Sequence, residues 1–177
     1  NTIIKEHCHY IMRNSIEDIV NETCRGINAD SFYIVKQGDE IVAAGAVWDQ
    51  GDYKQYIVQK YSGVLRLLAS LPFLCAMLGL PDVPGSGQML KFFTLARWGI
   101  KNNDPGIFNF FLDNVMTQAR DFPFCVVGVH ESHPLRDQLM LRKHIKYESK
   151  VYRVNWDRQK EDCLNKGIPL YLECGAL

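Results

Sequence analysis

The chain lacks an excess of charge of either sign: 20 Lys and Arg stand against 20 Asp and Glu in 177 residues. No single-signed field holds a nucleic-acid backbone, which argues against a dedicated nucleic-acid partner. Closely spaced cysteines are missing too. Cys8, Cys24, Cys75, Cys125, Cys163 and Cys174 lie far apart without CxxC spacing, which speaks against a zinc ribbon or a small disulfide scaffold and for reduced, mostly buried thiols. No internal repeat or low-complexity tract is present. The opening residues, Asn1 to Asn14, mix His, Lys, Glu and Arg without a continuous apolar region, so no signal peptide is read and a cytoplasmic location is expected. Val64 to Leu80 is apolar apart from Arg66. It falls short of the roughly 20 residues a membrane span needs and contains Pro72, so a buried helix or a lid is expected and no span.

What is present is an ordinary globular composition, 47% hydrophobic and 23% charged. One domain covering 1–177 is expected, whole or as a piece of a longer chain, since no Met opens it. Ser15 to Arg25 places Ile16, Ile19, Val20 and Cys24 on one helical stripe. Phe32 to Val35, a Gln37-Gly38-Asp39 turn and Ile41 to Trp48 read as a hairpin. A long helical segment is predicted from about Tyr53 to Leu80, interrupted near Ser70 and Pro72. Met89 to Trp98 reads as a strand. Asp104-Pro105 opens a helix through Phe108, Phe111, Leu112, Val115 and Ala119, with Asp at the cap and Pro in the first turn. Pro123 to His130 has the continuous apolar character of a central strand covered on both faces. Pro134 to His144 reads as a short helix, and Tyr147 to Trp156 alternates as a strand does. Ile168 to Leu172 could add an edge strand, confined there by Pro169.

The order predicts an α/β (α+β) fold with a partly antiparallel, mixed central sheet flanked by helices. The strand, helix, strand unit from Met89 to His130 should bring two strands together in parallel, and a ligand is expected outside their carboxyl ends. There His130, Glu131 and His133 cluster. Glu131 or His130 has the chemistry to deprotonate an ammonium near neutral pH. The structural alternative makes Ser132 or His133 a helix cap and Glu131 a solvated carboxylate. Metal binding is not expected, because the spacing is not HExxH and no Cys or Asp lies nearby in sequence.

This element order resembles the GNAT acyltransferase superfamily. The stretches Ala46-Val47-Trp48-Asp49-Gln50, Tyr53-Lys54-Gln55, Tyr61-Ser62-Gly63, His133-Pro134-Leu135 and Tyr147-Glu148-Ser149-Lys150-Val151-Tyr152 look like a bacterial branch of GNAT-like proteins. The resemblance implies a GNAT-like fold and acetyl-CoA or another acyl-CoA as co-substrate. It also implies direct transfer to an amine on a small molecule or peptide, with no metal. It implies Leu95, Arg97 and Trp98 along the pantetheine arm, and Asn102, Asn103, Gly106 and Ile107 at the phosphates. Asp49, Gln50 and Tyr53 would face the acceptor, although Asp49 and Asp52 are also natural turn residues.

The chain departs from the family twice. The usual loop, Gln or Arg, two residues, Gly, one residue, then Gly or Ala, is replaced by Arg97-Trp98-Gly99-Ile100-Lys101-Asn102-Asn103-Asp104-Pro105-Gly106. Met140 stands where many members carry the Tyr that protonates the leaving thiolate, a role left to Tyr147, Tyr152 or water. These departures raise an alternative, a GNAT-like domain without catalysis that binds a ligand or docks a companion domain. A homodimer is a further expectation.

Overall fold

A computed structural model of the chain describes Ile19 and residues 25–80, 83–150 and 174–176. The helix expected over Ser15 to Arg25 lies outside the described residues except for Ile19, which is helical, and Arg25, which lies in a turn. The Ile168 to Leu172 strand lies wholly outside them.

The fold is α+β, built on a four-stranded mixed sheet in the order β1-β2-β3-β4. β1 (Phe32–Gln37) and β2 (Glu40–Trp48) form the predicted hairpin, turning at Gly38-Asp39 with Gly38 at positive φ. β3 (Phe92–Ile100) adds antiparallel to β2, and β4 (Phe124–Val126) adds parallel to β3. Between the last two runs α3 (Pro105–Gln118), opened as its sequence dictates by the Asp104 cap and Pro105. Two shorter helices, α1 (Gly63–Ser70) and α2 (Pro72–Met77), break apart at Leu71 before Pro72. A fourth helix, α4, covers Arg136–Met140.

The core lies between one sheet face and α3. Phe93, Leu95, Trp98 and Ile100 meet Phe108, Phe111, Leu112 and Val115 there, and each large apolar side chain fully buried contributes roughly 1.5–3 kcal/mol. Strand residues on one face should alternate with period two, yet the core set steps by three between Leu95 and Trp98. The reason is a register shift: Ala44 pairs with Gly99 and Ala46 with Ala96, so Arg97 and Trp98 together oppose Gly45. Arg97 has φ +51, the backbone signature of an inserted residue that re-aims the strand beyond it. Gly45 makes this approach possible, because a Cβ there would lie 2.8 Å from Trp98 Cβ and 2.9 Å from Phe111 Cζ. The opposite face carries a smaller cluster of Ile27, Ala46, Trp48 and Ala96.

Several expectations are corrected. Residues 53–62 are not helical: Ile57 bridges Met89, and Val58 and Leu90 N–H groups donate to the Gln88 and Tyr56 carbonyls. This extended pairing suits the β-branched pair Ile57-Val58 and delays β3 to Phe92. β4 is an edge strand among the described residues, ending at Val126, with Val127 to His130 irregular. The helix predicted from Pro134 starts at Arg136, because His133 to Arg136 close a turn first, Arg136 N–H donating to the His133 carbonyl. Tyr147 to Lys150 are not strand, and the rest of that predicted strand lies outside the described residues.

Candidate functional site

β3 and β4 are adjacent and parallel, but they pair only at Phe92–Phe124, Phe93–Cys125 and Thr94–Val126. β3 then runs on to Ile100 while β4 stops. The two chains part at Thr94, at the carboxyl end of β4, which is where parallel sheets present ligand sites. The inserted residue at Arg97 lies just past this parting. Leu95 and Trp98, two of the residues expected along the pantetheine arm, are there, buried in the core at 1% and 3% exposure.

Gln50 and Thr94 are the buried polar residues among those described, at 3% and 2% exposure. They meet: Thr94 Oγ1 lies 3.4 Å from Gln50 Oε1, and Gln50 Nε2 donates to the Gly175 carbonyl at 2.6 Å and to Tyr53 Oη at 3.2 Å. Tyr53 Oη in turn donates to the Arg25 carbonyl, and the Arg25 guanidinium lies over the Tyr53 ring. Gln50 and Tyr53, expected to share an acceptor region, are thus brought together. Asp49 is not part of this network. Its Oδ1 accepts from Gly51 N–H at 2.8 Å, the turn role that the residue type also allowed.

A short turn at Cys174–Ala176 closes the other side. A Cβ on Gly128 would stand 2.5 Å from Cys174 Cβ, and one on Gly175 would stand 2.5 Å from the Trp48 ring. Burial first, and the neighbouring Cys174 second, push the Cys125 thiol up to about 12, against a hydrogen bond from the Leu95 backbone. Cys125 is therefore a protonated thiol near neutral pH and not a nucleophile. Thr94 and Gly175 are the residues here that the sequence reading missed. The one available signal was Thr94, a polar residue inside the apolar run Phe92-Phe93-Thr94-Leu95-Ala96.

The phosphate half is exposed but offers few donors. Asn102 and Asn103 sit exposed in a turn with φ +54 and +51. Asp104 Oδ1 accepts from the Ile107 N–H at 2.9 Å, and Pro105 has no N–H. The Gly106 amide is left as the first-turn donor. Lys101, the cation closest in sequence, is paired with Glu40 at 2.5 Å. Gly106 and Ile107 line an open groove of about 270 Å³ with Val35, Lys36, Val42 and Phe110.

The residues after β4 divide by role. His133 packs on Trp98 with ring centroids 5.1 Å apart, and its Nδ1 accepts from Leu135 N–H at 3.1 Å. Burial first and His130 second hold its pKa below the ordinary histidine value, and the half-buried ring serves in packing. His130 Nδ1 accepts from Ser132 N–H at 3.2 Å and lies 2.8 Å from Ser132 Oγ. With that nitrogen accepting, the neutral ring carries its proton on Nε2 and offers a donor outward. Glu131, exposed between them, remains the acceptor-only group. Tyr147 is 89% exposed, outside this cluster. Among the described residues no group of three or more His, Cys, Asp or Glu is arranged to hold a metal ion. No protein-family model matches the chain, and no curated protein or solved structure is significantly similar to it.

Proposed function

We propose that the protein is an acyl-CoA-dependent N-acyltransferase of GNAT type, acting on an amine. One observation supports the reading: the ladder between parallel β3 and β4 ends after three pairs, just before the inserted Arg97, so β3 from Leu95 onward has no paired strand on the β4 side. Backbone amides there are donors that cost no reorganisation when an oxyanion forms. In this reading the thioester arm lies along this backbone. The diphosphate has fewer donors, since Asp104 already holds the Ile107 amide, and it would rest on the Asn102-Asn103 turn and the Gly106 amide.

In this reading the acceptor amine attacks the thioester carbonyl, the new C–N bond forms, and the C–S bond breaks with the electron pair leaving on sulfur. Glu131 takes the ammonium proton directly or through one water. The proton that neutralises the thiolate comes from water, since Met140 has none to give and Tyr147 lies outside the cluster. Gln50 and Tyr53 border the acceptor side. Acceptor positioning and backbone donors supply most of the rate enhancement.

Acetyl-CoA, longer acyl-CoAs and free CoA should each raise the melting temperature of the chain by mass action. Glu131→Gln should then lower turnover by on the order of 10²-fold or more with little change in donor affinity. The occupied Ile107 amide and Met140 favour a second reading, a GNAT-like module that binds without catalysis. A thermal shift without turnover over a panel of amines selects it, and no shift at millimolar acyl-CoA removes both.

A further inference from the structure

The balanced charge of the chain conceals a local imbalance. Residues 60–80 and 141–150 hold six of the 20 Lys and Arg and one of the 20 Asp and Glu, Glu148. The structure brings these two segments together. Lys143, between Leu141 and Ile145 in sequence, donates from Nζ to the Leu78 carbonyl at 2.9 Å, just past the end of α2. Within α1 and α2, Cys75 alone is buried among the residues whose side chains are described, and its thiol donates to the Leu68 carbonyl. Facing outward are Leu67, Phe73 and Met77, the last two 69% exposed, and Leu141 and Ile145 of the second segment are more exposed than half. Arg142 is held by Asp113 and Lys146 by Glu148. Among the described residues Lys60, Arg66, Lys143 and Lys150 make no ion pair.

We propose that this face, formed by α1, α2 and residues 141–147, rests on an anionic lipid surface. Its chemistry matches that partner on both counts. Exposed apolar side chains on two helices too short to span a bilayer can enter the boundary between headgroups and acyl chains. Arg66 and Lys143, the cations of this face that make no ion pair among the described residues, match the negative charge of the headgroups, and each near the surface favours binding about fivefold. Tyr147 at the edge of the patch has the amphipathic ring suited to that interface. The inference is independent of the acyltransferase reading.

The test is co-sedimentation of the full chain with phosphatidylcholine vesicles, either pure or containing about a third phosphatidylglycerol. Binding should require phosphatidylglycerol and weaken as salt rises. Arg66→Gln should weaken it about fivefold, and Phe73→Ser with Met77→Ser by at least about tenfold. Both changes are at exposed positions, and an unchanged melting temperature verifies the fold. If the double variant does not fold, Arg66→Gln and the salt dependence decide the matter. Absence of binding to the anionic vesicles overturns the proposal, as does binding that is indifferent to phosphatidylglycerol or survives the double substitution. Self-association of the wild-type chain that the double substitution abolishes, without vesicle binding, assigns the face to a second copy instead.

Discussion

Gly45 is where the geometry tolerates least. It sits opposite the inserted Arg97, against Trp98 and Phe111, and any β-carbon must displace one of them. Gly45→Ala should therefore cost about 1–3 kcal/mol, read as a fall in the urea midpoint with an unchanged slope. A loss under about 0.5 kcal/mol would mean that the strand relaxes freely around the insertion. His133 makes a pH-dependent contribution. Its pKa is lowered in the fold, first by burial and then by His130, so the unfolded chain binds the proton more readily. Stability from this residue is full above the ordinary histidine value of 6.5 and is lost as pH falls from there through the lower folded value. His133→Asn keeps an acceptor for the Leu135 N–H and removes the titration. Melting temperatures of the variant between pH 7 and about 5 should fall less than those of the wild type, and equal slopes would show that other groups dominate acid sensitivity. Gly45 gave no signal in sequence, being one small residue in Ala43-Ala44-Gly45-Ala46, whereas His133 was read in the cluster or as a cap because its Trp98 partner is distant along the chain.

Elements whose signals are local were legible. Asp104-Pro105 opens α3 as read, the Gly38-Asp39 turn closes the hairpin, and Pro72 separates two helices. Misreadings fell where a distant strand decides the outcome. Tyr53 to Ser62 looks helical by pattern, but residues 56–58 pair with 87–90. The apolar run from Pro123 to His130 resembles a central strand by composition, but its pairing ends at Val126. The helix cap itself is testable. Ser caps about as well as Asp, so Asp104→Ser should change stability by only a few tenths of a kcal/mol. It also removes a carboxylate from the N-terminus of α3, where an anion is otherwise favoured. Affinity for CoA should rise several-fold, on the order of 1 kcal/mol, when titrated by calorimetry. An unchanged affinity would move the phosphates away from α3.

At the scale of the molecule, the α+β order was readable because helical and strand periods alternate along the chain. The length of the ladder between β3 and β4 depends on where two distant segments meet, and the participation of Thr94 and Gly175 was not legible at all. Charge behaves in the same way: a total of zero hides the cationic stretch until Lys143 is seen at the end of α2. The bond from Gln50 to Gly175 joins residues 125 positions apart. During synthesis at roughly 5–20 residues per second, Gln50 and Thr94 wait on the order of ten seconds for the turn that covers them. Until then two polar side chains and the flank of Trp48 lack the turn that covers them in the fold. The covering of Gln50 and Thr94 is thus completed only by residues made long after both side chains.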